Sequence, residues 1–329
     1  MSDRSEQSGD PVIRTEKLTK SYGDVVALDS LDLELPAGRI LGYIGPNGAG
    51  KTTTIRILVG LARPTSGRAW VAGHDCTRDV RRIKRLVGYM PDVFGGYDNM
   101  RVREYLDFFG AAFRIPRRQR IGRIGEVMEI AGCTHMQDLF VEALSHGMKQ
   151  RVGIARTLLH DPPVLILDEP ANGLDPAARI DMRRILRQLA DMGKTLIVTS
   201  HILPELARVC DLVGIIIGGR LRALGTLEQI MRQVRQRRLI EVTLTRHEQV
   251  QPLVELLRGQ LEEEAEITAS EHEAEVRFST TAGDDQLTAL LTLAVHQNLQ
   301  VAGYQEVPLD LEDAYLEFTA QAEKGGEGE

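Results

Sequence analysis

Gly45-Pro46-Asn47-Gly48-Ala49-Gly50-Lys51-Thr52, with Thr53 behind it, decides the fold. It fits the pattern GxxxxGK[ST], follows an apolar run at Arg39–Ile44 and opens an apolar helical stretch. Glycines let successive backbone N–H groups curl around phosphate oxygens with no side chain in the way. The helix that follows points the positive end of its dipole at the same anion. In that geometry Lys51 bridges the β- and γ-phosphates, the Thr52 hydroxyl reaches Mg²⁺, and Thr53 adds a donor. A glycine-rich strand-to-helix turn without a ligand is the plainer alternative, and the joint presence of strand, helix and Gly-Lys-Thr speaks against it.

Further along, Val164-Leu165-Ile166-Leu167-Asp168-Glu169 reads as a buried strand ending in two carboxylates. Four apolar residues place Asp168 at the carboxyl edge of a sheet, where open α/β folds bind ligands. Asp168 is then expected to hold Mg²⁺ through water, and Glu169 to polarise an attacking water. Other β-rich runs, Arg68–Val71, Thr195–Thr199 and Val213–Ile217, are nearly all apolar, as in parallel strands covered on both faces. Between Val102 and Gly132 the spacing turns helical, with Val102, Tyr105, Leu106, Phe109 and then Ile121, Ile124, Met128 at steps of three and four. The expected fold is α/β, with a P-loop core and an inserted helical subdomain over about 99–150.

Between the two motifs lies Leu144-Ser145-His146-Gly147-Met148-Lys149-Gln150-Arg151, which resembles the LSGGQ signature of ABC-type ATPases. Gly173-Leu174-Asp175 is similar to the D-loop of that family, and Ser200-His201 to its switch histidine. Tyr22 stands where the family places a ring that stacks on adenine, although the turn Ser-Tyr-Gly-Asp also suits a hairpin cap. The resemblance covers residues 12–225. It implies that Tyr22 stacks the base, that Gly45, Pro46, Asn47, Gly48, Ala49, Gly50, Lys51, Thr52 and Thr53 hold ATP and Mg²⁺, and that Asp168 positions the metal. It further implies that Glu169 is the general base, that His201 senses the γ-phosphate, and that Ser145 and Gly147 offer donors to the ATP of an opposite subunit. One chain holds one P-loop and one signature, so the resemblance implies a head-to-tail dimer of two copies with two-fold symmetry.

Two departures stand out. The family usually carries glutamine where Gly88-Tyr89-Met90-Pro91-Asp92 places Asp92, a carboxylate expected to approach the metal but unable to donate to a water nucleophile. His146 replaces the first glycine of the signature pair, either filling space or adding a donor to the phosphate in trans. Such signatures with Pro-Asp loops, and the ending Leu309-Asp310-Leu311-Glu312-Asp313-Ala314-Tyr315-Leu316-Glu317, resemble a branch serving drug- and antibiotic-resistance exporters with a separate membrane permease. The alternative is a soluble ABC-type ATPase acting on the ribosome or on nucleic acid. One cassette, no heptad run and no cysteine pair disfavour it, while intact Lys51, Asp168, Glu169 and His201 disfavour a subunit that binds ATP without turnover.

Composition sets the outer limits. Among 329 residues, 43% are apolar and 26% charged, enough for packed cores. The stretch from Gln286 to Gln305 lacks Asp, Glu, Lys and Arg, but its glutamines, Asn298 and His296 are too polar for a bilayer. The expectation is a cytoplasmic protein, peripheral at the inner membrane face through its permease. Cys76, Cys133 and Cys210 are spaced too widely for a disulfide framework or a CxxC metal site. The remaining histidines lack metal-ligand spacing, and Arg117, Arg118, Arg120 and Arg123 read as a solvated helix face, with contact to acidic lipid or a partner as the lesser alternative.

Residues 239–329 carry four basic and 20 acidic side chains, net −16, whereas the rest of the chain carries net +9. That division argues for two modules, the second unsuited to nucleic acid. Residues 226–238 read as a helix or linker that ends in a basic run. Residues 239–319 have the order βαββαβ of a small ferredoxin-like sandwich with a regulatory or dimer-supporting role, followed by a short helix near Leu311–Phe318. Residues 320–329 are expected to be a disordered Gly/Glu tail.

Overall fold

The computed structural model describes residues 11–92, 99–200, 206–234, 238–261, 265, 267–270, 272–307, 311, 313–315 and 318–319. His201, the 320–329 tail and three residues of the Leu311–Phe318 segment (Glu312, Leu316 and Glu317) lie outside these residues. The chain divides into two compact units, Met1–Leu227 with Phe318–Glu329, and Glu228–Glu317.

The larger unit holds two sheets. Strands β3 (Ile40–Ile44), β6 (Val87–Met90), β7 (Val164–Leu167), β8 (Thr195–Thr199) and β9 (Leu212–Ile217) run parallel in the order β9-β3-β8-β7-β6. An antiparallel edge strand, β10 (Arg220–Gly225), lies beside β9. Every residue of β3, β7 and β8 is buried, as strands covered on both faces require. The carboxyl ends of β3 and β7 therefore open on one edge, which brings the glycine loop and Asp168 together.

A second, antiparallel sheet contains β1 (Ile13–Tyr22), β2 (Val25–Leu35), β4 (Ser66–Val71) and β5 (His74–Asp75) in the order β2-β1-β4-β5. This corrects the expectation for Arg68–Val71, which pairs antiparallel with β1. The reason is visible in its burial. Only Ala69 and Val71 are buried, so β4 has one covered face and one open face. Leu31, Leu33 and Leu35 of β2 join Ile13, Leu18, Ile55 and Leu58 in one core that seals this sheet against helix α1 (Lys51–Leu58).

Helix α2 (Val80–Leu86) leads into β6, and the helical portion contains α3 (Val102–Ala112), α4 (Arg117–Ile130) and α5 (His146–Leu158). The arginines of α4 divide. Arg117 and Arg118 are exposed, but Arg120 forms a fork on Asp107 of α3 (Nε–Oδ1 2.6 Å) and Arg123 donates to the Leu158 and Leu159 carbonyls at the end of α5. With side chains only 13% and 18% exposed, Arg120 and Arg123 are clamps between helices, which corrects the reading of all four as a solvated face. Guanidinium donors satisfy α5 carbonyls that have no partner inside the helix. Helix α6 (Pro176–Asp191) starts with proline at its first position, and its cap Asp175 accepts from Ala178 N at 2.8 Å.

The smaller unit begins within α7 (Leu227–Val234). It continues as β11 (Arg238–Leu244), α8 (Val250–Gln260), β12 (Ile267–Ser270), β13 (Glu275–Thr280), α9 (Asp284–His296) and β14 (Val301–Val307). The four strands form an antiparallel sheet in the order β12-β13-β11-β14. Inward-facing Ile240, Val242, Leu244, Val276 and Phe278 alternate with partly covered polar positions and pack with Leu253, Leu257, Leu287 and Leu290 of the helices.

Candidate functional site

Lys51 opens α1 directly after Gly50, whose φ of 109° suits glycine and not an L side chain. A Cβ on Gly50 would stand 2.6 Å from the Ala27 carbonyl oxygen, and one on Gly45 2.2 Å from that of Ile216. Gly45 and Gly50 are thus enforced from behind the loop by β9 and β2. Thr54 fixes the helix from inside, donating to Gly50 O at 3.1 Å and lying 3.1 Å from the buried Tyr43 hydroxyl. Burial pushes the Tyr43 phenol well above its ordinary range, so it remains a neutral anchor.

Pro46, Asn47, Gly48, Gly50, Lys51, Thr52, Thr53, Asp92, Asp168 and Glu169 line one cavity of about 310 Å³. The Lys51 ammonium donates to the Gly45 carbonyl and, at 3.1 Å, to that of Pro46. Burial lowers its pKa, while the neighbouring Glu169 and Asp168 carboxylates act in the opposite sense. The cavity thus brings a half-buried cation and the loop backbone together with three carboxylates.

The carboxylates are held differently. Asp168, 9% exposed, accepts from Thr199 Oγ1 at 2.6 Å, and its backbone N–H donates to Met90 O at 2.8 Å. Glu169 adopts φ 51°, a left-handed conformation uncommon for a residue with a side chain. Two bonds hold it there. Its N–H donates to Thr199 Oγ1 at 2.9 Å, and its carbonyl accepts from Asn172 N at 3.1 Å. Thr199 therefore serves both acids, and the sequence reading missed it. A polar residue closing an otherwise apolar strand next to the β7 carboxylates was the available signal.

Ser145 caps α5, its hydroxyl accepting from Met148 N at 3.4 Å, and Gly147 packs against Leu174, where a Cβ would stand 3.2 Å from Leu174 Cδ2. Neither lines the cavity around Lys51. Tyr22 lies at the end of the β1–β2 hairpin, paired with Val25, 47% exposed, with Lys20 Nζ 4.8 Å from its ring centroid. It too is absent from the cavity lining. His201 lies outside the described residues.

Among the described residues, no three His, Cys, Asp or Glu side chains converge into a metal cage. Mg²⁺ needs none, since it keeps several waters and is held by one or two protein oxygens together with phosphates. The donors on offer, the Thr52 hydroxyl and the Asp168 and Asp92 carboxylates, are the hard oxygens that ion takes.

The family model for ABC transporters matches residues 28–172. The chain is 44% identical over 211 residues to the bacitracin transport ATP-binding protein BcrA of Bacillus licheniformis, covering 64% of this chain and 68% of that protein. It is 33% identical over 310 residues to Nod factor export ATP-binding protein I of Cupriavidus metallidurans, covering 94% of this chain and 98% of the relative. A solved ATP-binding subunit of an ABC transporter superposes with a TM-score of 0.62 at 29% identity, over 68% of this chain and 93% of that one. The likeness to the Cupriavidus protein runs through both units, so it describes more than the phosphate loop. This chain belongs to the ABC transporters, as one of their ATP-binding, ATP-hydrolysing subunits.

Proposed function

We propose that this chain is the motor of an exporter whose substrate path is formed by a separate membrane permease, and that two copies close head to tail over two ATP molecules. The observation that carries the reading is the single cavity in which Lys51, Thr52, Asp92, Asp168 and Glu169 meet at the carboxyl edge of the parallel sheet. Lys51 and the loop amides bind the β- and γ-phosphates. Tyr22 stacks on adenine, and Thr52 with Asp168, assisted by Asp92, holds Mg²⁺. When bound, that ion neutralises charge developing on the phosphate oxygens. Glu169 takes the proton of the attacking water. His201 senses the γ-phosphate, while Ser145 and Gly147 complete the site of the other copy.

Support for a permease comes from a second cavity, of about 270 Å³, between the helical portion and the sheets. Val59, Leu61, Val87, Tyr89, Phe109 and Phe113 line it, with Lys84, Arg156, Thr157 and His160 among them. Leu61 and Phe113 are exposed there, at 60% and 38%, and Phe113 stacks on His160 with ring centroids 4.1 Å apart. An apolar cleft of this kind suits an amphipathic helix from the cytoplasmic side of a permease. Among the described residues no helix is long and apolar enough to cross a membrane. The names of the two relatives, a bacitracin transport protein and a Nod factor export protein, support the exporter reading.

The test is assembly. Glu169→Gln protein with ATP and Mg²⁺ is expected to run as a dimer in scattering and to return to monomer when nucleotide is removed. Monomers at saturating ATP, or dimers indifferent to nucleotide, would refute the proposal. Co-purification with a polytopic membrane protein, lost on Phe113→Glu, tests the permease cleft.

A further inference from the structure

The family pattern has glycine where this chain has His146, and the side chain makes a bond that glycine cannot. His146 Nε2 lies 2.9 Å from the carbonyl oxygen of Asn172, on the loop between β7 and α6. A carbonyl only accepts, so Nε2 carries the proton and donates. The buried Gln150 Nε2, one turn further along α5, stands 3.3 Å from the same nitrogen and, both being donors in this tautomer, makes no hydrogen bond with it. Gly173 lies against the ring, close enough that a Cβ there would meet His146 Cδ2 at 3.3 Å.

Asn172 is also the residue whose N–H donates to Glu169 O at 3.1 Å. One amino acid thus faces two ways. Its amide closes the turn that keeps Glu169 in the left-handed conformation, and its carbonyl is held by the first residue of α5. Farther from the turn, Arg151 of α5 bridges to Asp181 of α6 at 2.7 Å, so α5 and α6 are pinned at a second point. A displacement of the α5 N-terminus is transmitted to the Glu169 turn through one hydrogen bond and one peptide unit.

We propose that His146 is a positioning residue that ties the signature helix to the turn carrying Glu169. The inference rests on the proposed clamp, in which the α5 N-terminus faces the partner copy's ATP while Glu169 faces its own. Engagement of one nucleotide then steadies the base at the other. This departs from both sequence readings of His146, since Nε2 is committed to Asn172 and the ring does more than fill space.

Two variants of the full-length chain separate the outcomes. His146→Ala removes the donor, whereas His146→Gln returns an N–H at about the same reach. In nucleotide-free protein, hydrogen exchange across Glu169–Asp175 is expected to quicken about two- to five-fold in His146→Ala and to return towards the natural rate in His146→Gln, in keeping with one partly exposed hydrogen bond. In steady-state hydrolysis the alanine variant is expected to lower kcat by a similar factor with KM for ATP within two-fold, to bring the Hill coefficient towards one, and to be rescued by glutamine. Unchanged exchange in His146→Ala overturns the tie. Equal damage in both variants overturns it in favour of packing. A raised KM with unaltered exchange overturns it in favour of a donor to the phosphate in trans. Faster exchange with unaltered kcat and Hill coefficient overturns the coupling. Absence of ATP-driven dimers in the Glu169→Gln background would instead refute the clamp, and the exchange experiment would still decide the tie.

Discussion

Around the Lys51 cavity the chain repeatedly leaves regular geometry. Gly48, Gly50, Glu169 and Gly173 all have positive φ, and a half-buried ammonium sits among carbonyls and carboxylates. The sandwich of Arg238–Val307 is built the other way. Its interior is Ile240, Val242, Val276 and Phe278, and its charges lie outside as closed arginine–carboxylate sets: Arg238 with Asp284 and Glu306, Arg277 with Glu241 and Glu275. The first region holds polar groups in an arrangement that a bound polyanion completes; the second completes its own. Strain and desolvated charge persist where a ligand or a special turn over-determines them, and apolar burial suffices where none does.

Glu169→Gln should show the largest effect in the contrast, a fall in turnover of about 10²–10⁴ as for loss of a general base, with little change in thermal unfolding. Phe278→Ala is the mirror case. Truncating a side chain only 1% exposed should cost about 3–5 kcal/mol in chemical denaturation of the smaller unit, while nucleotide affinity at Lys51 stays within two-fold. A tenfold loss of affinity in that variant would break the separation between the regions.

Thr199→Val sharpens the picture, because it keeps the shape and removes the hydroxyl that serves Asp168 and the Glu169 amide. Leaving buried groups unpaired should cost about 1–3 kcal/mol of stability, and we expect turnover to fall measurably with it. Full activity in that variant would show that the carboxylates need no such support. Arg238→Ala should cost less, at most about 1 kcal/mol, since its partners are largely exposed and surface ion pairs are weak.

The smallest expected effect is with pH, and it spans both units. The Lys194 bond first, and then Arg123, hold the Asp161 carboxyl below its ordinary 3.8. The Gln305 amide first, and then Arg277, hold Glu241 below its ordinary 4.5. A depressed carboxyl contributes stability that is present above its unfolded value and is lost as pH falls through the folded one. Denaturation midpoints should therefore be level above about pH 5 and decline below about pH 4. Asp161→Asn and Glu241→Gln should flatten the acid limb; an unchanged limb would remove these pairs from the account.

How far the sequence could be read follows from the range of the forces involved. The glycine loop, the strand ending at Asp168 and the order of elements in residues 239–307 were legible because steric freedom and apolar periodicity act within a few residues. β3, β7 and β8 lie where their apolar runs predict. Of β1 and β2 only the hairpin turn at Tyr22 was suggested, and β4 was assigned to the wrong kind of sheet, because its partner strand β1 lies some 50 residues away. Arg120 and Arg123 misled for a similar reason. An arginine run looks solvated until other segments bring Asp107 and the end of α5 within reach.

By itself the sequence determined the phosphate loop, the paired carboxylates and the family likeness, since each is a short string whose chemistry is carried by its own atoms. Only the tertiary structure decided that Asp92 shares a cavity with Lys51, that Thr199 supports both acids, and that His146 reaches the Asn172 carbonyl. Those contacts join residues 26 to 41 positions apart, and hydrogen bonds and Coulomb forces depend on distance in space, which packing fixes and local pattern does not.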